Sequence, residues 1–144
     1  MKTRLTTLLA LLSLGFAPAP FLSKKAKRDS ADADLAAIQG VWFRTDLTMD
    51  GRHRPDRCRV EIKGKLMQFP SRSDAWNLAF DDRAEPRRLS ATKVGGGTAF
   101  WGVYKREGDT LVICWTMGKE ADRATSFDPM QKGAWLQVFR RSAR

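Results

Sequence analysis

One His and two Cys are the whole stock of imidazole and thiol chemistry in this chain. His53 lies in the basic run GRHRPD, where an imidazole is solvated. The spacing of Cys58 and Cys114 fits no metal-ligand pattern. The run VGGGT (94–98) lacks the Lys and the following helix that a phosphate-cradling loop needs, and reads as a turn or bulge. No nucleophile has a His and an orienting acid by motif, and Asp81 and Asp82 sit where turn residues belong. No catalytic residue, metal or cofactor is therefore expected. The chemistry that remains is recognition. In IQGVWFRTDL, Trp42, Arg44 and Asp46 share one face of a strand-like run. Two charges on the face of a buried-type aromatic must pair, reach an opening, meet a ligand, or be released by a bulge that breaks the period.

The elements that position these groups are strands. In RCRVEIKG the period is two, with Cys58, Val60 and Ile62 on one face. KLMQF, AWNLAF and RRLSATK are shorter candidates, separated by the loops DGRHRPD (50–56), SRSD and DDRAEP. FWGVYKREGDTLVICW reads as a hairpin turning at Glu107-Gly108, because Gly supplies the positive φ of a tight turn. That register places Phe100, Gly102 and Tyr104 with Leu111, Ile113 and Trp115, and places Trp101 and Val103 opposite, with Val112 and Cys114. AWLQVFRR closes the series. DADLAAIQG gives one short helix, capped by Asp32 or Asp34 and ended by Gly40. The expectation is a mainly β protein, an antiparallel eight-stranded barrel preceded by one short helix.

Lys2 and Arg4 precede an apolar stretch from Leu5 to Ala17, too short for the roughly 20 residues of a membrane span. This predicts an export signal over 1–23, with an uncleaved amphipathic anchor as the alternative. A charged linker follows over 24–34, then one domain over 35–144. Membrane contact is expected only through the export signal, and the location is periplasmic or secreted. In such a compartment Cys58 and Cys114 can form a disulfide; otherwise they are small core residues. The net charge of +10 favours anionic partners or serves solubility.

LAAIQGVW resembles the Gly-x-Trp opening of lipocalins and the wider calycin group. GVYKREGDTLVIC, Phe127 and LQVFRR resemble more closely a family of small exported bacterial lipocalin-like proteins, over Leu35 to Arg141. The motifs of the middle and later loops of classical lipocalins are not recognisable. The resemblance implies that Gly40 turns the chain sharply under a barrel, that Trp42 plugs its base, and that Arg141 (or Arg140) stacks on Trp42. It also implies binding of a small apolar or amphipathic ligand, with an anionic head favoured by the basic surface. Candidate ligand contacts are Arg44, Trp76, Phe80, Trp101, Tyr104 and Trp115, each of which can equally be core. The alternative is a cavity-free barrel that binds anionic envelope components or a protein partner through arginines such as Arg52, Arg54, Arg57, Arg72, Arg87 and Arg88. Nucleic acid is not favoured for an exported chain.

Overall fold

The computed structural model describes residues 32–142. The expected export signal (1–23) and the linker over 24–31 lie outside the described residues. Residues 32–34, read as the end of the linker, instead open a helix over 32–37. Nine strands follow: β1 (Gly40–Met49), β2 (Arg52–Arg54), β3 (Arg59–Lys63), β4 (Leu66–Phe69), β5 (Asp74–Asp81), β6 (Arg88–Lys93), β7 (Ala99–Glu107), β8 (Thr110–Met117) and β9 (Ala134–Arg141). From β3 onward each strand pairs antiparallel with the next, and β9 returns to pair with β1. Eight strands thus close an up-and-down barrel, as the spacing of β-runs predicts. The ninth, β2, falls in a run read as a loop. It pairs with the outer end of β1 around Asp50-Gly51 and stays exposed.

Closure leaves neither β1 nor β9 as an open edge, so the alternation of side chains decides what is inside. Val60 and Ile62 of β3, Leu78 of β5, Leu89 and Ala91 of β6, and Ile113 and Trp115 of β8 face in and are buried. The β7–β8 hairpin keeps the expected faces but is shifted by two residues from the register of a Glu107-Gly108 turn, with Tyr104 against Ile113 and Gly102 against Trp115. The two turn residues are Gly108 and Asp109, since Glu107 already pairs with Thr110. Gly102 is required by packing rather than by backbone angle. A Cβ there would lie 2.1 Å from the Cys114 carbonyl oxygen and 2.6 Å from Trp115 Cβ.

The strand β1 breaks its own period. Pairing with β9 slips between Arg44 and Asp46, leaving Thr45 as an extra residue. Trp42 and Arg44 therefore face in, Asp46 is turned out, and Leu47 takes the next inward place at 5% exposure. Of the alternatives open for Asp46, the bulge is the one realised.

One end of the barrel is sealed. Trp42 is fully buried and its Nε1 donates to the Ile38 carbonyl at 2.8 Å, tying the chain after the helix to the barrel floor. The Arg141 guanidinium lies 4.5 Å from the Trp42 ring centroid. Its Nη1 and Nη2 donate to the Gln39 and Ala37 carbonyls at 3.0 and 2.5 Å. Gly40 has φ of +110°, a conformation that other residues adopt only with strain, and its Cα sits under Arg141. Asp34 joins the seal by accepting hydrogen bonds from Tyr104 Oη and Arg87 Nη1.

The segment after β8 folds back over the outside. Ala124 and Phe127 cover Val103 and Cys114, forming a second, smaller apolar cluster with Ala134 and Leu136 on the outer face of β7–β9. Both faces of the hairpin are thus covered at one end, as its composition predicts.

Arg141→Met removes a cation–π contact and two charge-assisted hydrogen bonds. It should cost about 2–4 kcal/mol of stability, read as a lower urea midpoint at unchanged m-value. Arg141→Lys should recover only part, because one ammonium cannot reproduce the guanidinium fork.

Candidate functional site

The interior is not uniform along the barrel axis. Near the sealed end, Ile38, Ile62, Leu78, Phe80, Leu89 and Leu111 leave a residual void of about 10 Å³, less than one water occupies. Above Arg44 the barrel is hollow. A cup of about 290 Å³ opens at the end opposite the helix. Its walls are Trp76 of β5, Phe100 of β7, Trp115 of β8 and Trp135 of β9, with Met67 and Phe69 of β4 beside them. Phe100 is the centre of this wall, with ring centroids 5.1 Å from Trp76, 5.1 Å from Trp115 and 5.3 Å from Trp135.

The polar groups of the cup are few and placed at two levels. At the base, Arg44 is 3% exposed. Its Nε donates to the Asp56 carbonyl at 3.2 Å and its Nη2 to Asp56 Oδ2 at 2.5 Å. Arg72 Nη2 donates to the same Oδ2 at 2.7 Å. Two guanidinium groups thus share one carboxylate, and positive charge is left over. At the rim, Lys93 pairs with Asp74 at 3.2 Å. Around the cup, three cations therefore face two carboxylates. Between these levels, Trp115 and Gln137 are each 2% exposed, and both line the cup. Trp115 Nε1 and Gln137 Oε1 are buried without a hydrogen-bond partner among the described residues. An unmet buried donor or acceptor costs about 1–3 kcal/mol.

Of the six expected ligand contacts, Arg44, Trp76 and Trp115 line the cup. The other three are corrected. Phe80 and Tyr104 pack edge-to-face at 5.3 Å in the filled, sealed end, where Tyr104 holds the helix through Asp34. Trp101 points away from the interior, as its alternation from Phe100 requires. It lies under Arg123 at 5.1 Å and donates its Nε1 to the Gly118 carbonyl at 3.0 Å. Trp135 and Gln137 were missed, although the signal was present: once Arg141 is placed inward, a period of two carries Phe139, Gln137 and Trp135 inward with it.

Of the two readings of the cysteines, a disulfide or small core residues, the structure has the second. Both cysteines are free; Cys58 belongs to the inner core and Cys114 to the outer cluster, on opposite sides of the barrel wall. The arginines expected to form one patch are dispersed, with Arg72 on Asp56 at the cup and Arg87 on Asp34 at the sealed end. His53 is exposed, 3.9 Å from Asp46. Asp81 accepts from the Arg83 amide in a turn, and Gly95, Gly96 and Gly97 form the β6–β7 turn with positive φ. Among the described residues no group of three His, Cys, Asp or Glu side chains is placed to hold a metal ion. No protein-family model, curated protein or solved structure matches the chain.

Burial pushes the Cys114 thiol up from its ordinary 9.0 to about 11, with Asp128 adding to the shift. Burial also raises Cys58 and Tyr104. These folded-state values exceed the unfolded ones, so their support is complete below about pH 9 and is lost as pH climbs through the folded values. Stability should fall by about 2–3 kcal/mol from Cys114 alone between pH 9 and 11. Chemical denaturation in that window should show a smaller fall in Cys114→Ala.

Proposed function

We propose that this chain is an exported, lipocalin-like binding protein that holds a small amphipathic molecule, anionic at one end, in the cup above Arg44. The observation that carries the reading is the open cup of about 290 Å³, walled by Trp76, Phe100, Trp115 and Trp135 with Arg44 among its few polar residues. Such a site has the usual make-up of a ligand pocket, mostly apolar with a few convergent polar groups. The excess of cations over carboxylates around the cup, Arg44, Arg72 and Lys93 against Asp56 and Asp74, supports an anionic head. Export is supported by the basic start and short apolar stretch at Leu5 to Ala17. Barrel architecture alone assigns no ligand, so the reading rests on the cup and not on the fold.

A second reading has one observation in its favour. Phe43 is 44% exposed on the outer face of β1, and its cross-strand neighbours are Arg59 and Arg140. Two outer grooves beside it carry Arg57, Arg59 and Arg141. A polyanion docked there would leave the cup unused and would lose affinity steeply with salt.

The test is mass spectrometry of the organic extract from full-length protein exported and gently purified from a bacterial host. A near-stoichiometric small molecule is expected, absent from Thr98→Trp, which places a large ring at the cup without touching the sealed core. A molecule that copurifies equally with Thr98→Trp, or salt-sensitive polyanion binding abolished by Phe43→Ser, would move the function to the outer surface.

A further inference from the structure

The positions of the cup's polar groups say more than that a ligand binds. Along β1, Arg44 is the next inward residue after the plug Trp42. It pairs with Phe139 of β9, and its amide donates to the Cys58 carbonyl of β3 at 2.9 Å. It therefore marks the floor of the cup. Gln137 is one inward step higher on β9, and Trp135 one step higher again, against Met49 near the outer end of β1. Phe100 pairs with Met117, which is 57% exposed at the mouth, and Trp76 pairs with Lys93 of the rim. The aromatic walls thus rise from Arg44, paired with Asp56, to a rim that carries Arg72, Asp74 and Lys93.

Three consequences follow. First, the floor is solid: the void of about 10 Å³ beneath it admits no chain, so a ligand cannot thread a tail downward. Second, about 290 Å³ is at the bottom of the range for small-molecule pockets, suited to one fused or substituted ring system. Third, Arg44 is the cation set deepest in the cup, and the aromatic faces are around and above it. A long-chain amphiphile placed head-down would leave its tail in water, and placed tail-down would press methylenes on Arg44. A flat ring carrying an acid satisfies both levels. It stacks on the wall, each aromatic contact adding about 0.5–1.5 kcal/mol beyond burial, and it accepts from Arg44.

We infer that the ligand class is a compact aromatic carboxylic acid, bound acid-end inward on Arg44 with its ring against Trp76, Phe100, Trp115 and Trp135. This rests on the cup being the binding site, as proposed above.

Calorimetric titration of the full chain with three probes tests it: indole-3-acetate, its uncharged isostere indole-3-acetamide, and decanoate. At pH 7 the acetate should bind at least about tenfold tighter than either of the others. In Arg44→Met the preference for acid over amide should vanish while amide affinity changes less than about threefold. The acid–amide comparison in the unaltered protein stands even if Arg44→Met does not fold. Equal binding of acid and amide, both lost in Thr98→Trp, overturns the inference and leaves the cup as a binding site. Tighter binding of decanoate overturns it in favour of an acyl ligand. Binding of none of the three also overturns it, and the copurified-molecule experiment decides the parent reading on its own.

Discussion

The junction between the first and last strands holds the rest of the structure in place. β1 is the strand on which the plug, the bulge and the floor of the cup all lie, and β9 is its closing partner. Arg141 meets the Trp42 ring and two carbonyls of the chain entering β1, so that one side chain fixes barrel closure, the direction of approach and the seal of one end. Gly40 makes this possible through a positive φ that brings the backbone beneath the guanidinium. A cation–π contact is worth more when desolvated, and Trp42 is fully buried. The same desolvation makes an imperfect junction expensive.

From that junction the interior divides into two regimes. Toward the seal, aliphatic side chains with Phe80 and Tyr104 fill the space, as an eight-stranded barrel of this size allows. Toward the mouth, four aromatic rings line the wall instead, and their packing around Phe100 leaves a cup. The bulge at Thr45 serves both regimes. It lets Arg44 face inward with Trp42 while turning Asp46 to the outside and restoring Leu47 to the core. A buried guanidinium needs a counter-charge, and the loop before β3 supplies Asp56, which it shares with Arg72. Sharing leaves the pair of cations underneutralised.

Much of the fold was legible because its signals are local. The alternation in RCRVEIKG, the hairpin turn and the Gly-x-Trp opening each depend on a few neighbouring residues; the first and last appear where the sequence places them, and the turn lies one residue later, at Gly108-Asp109. The site was less legible because it depends on non-local choices. Trp101 was counted with the cavity for its aromaticity, although its own alternation from Phe100 places it outside, under Arg123. Phe80 and Tyr104 do point inward, but their depth along the axis comes from barrel stagger, which no short window contains. The slip at Thr45 leaves no composition cue. The missed pair Trp135 and Gln137 is the opposite case: the period of two from Arg141 already carries them inward, and only the weight given to charged residues and to the other aromatics hid them.

The most direct measurement is fluorine NMR of the full chain labelled with 5-fluorotryptophan, titrated with indole-3-acetate. The five Trp report on three places: Trp42 in the seal, Trp101 on the outer face, and Trp76, Trp115 and Trp135 around the cup. If the upper barrel is the binding site and the lower barrel is solid, the three cup resonances move together and saturate while Trp42 and Trp101 stay fixed. Movement of Trp101 alone, or of Trp42 with no change around the cup, would contradict the division of the barrel on which the functional reading stands.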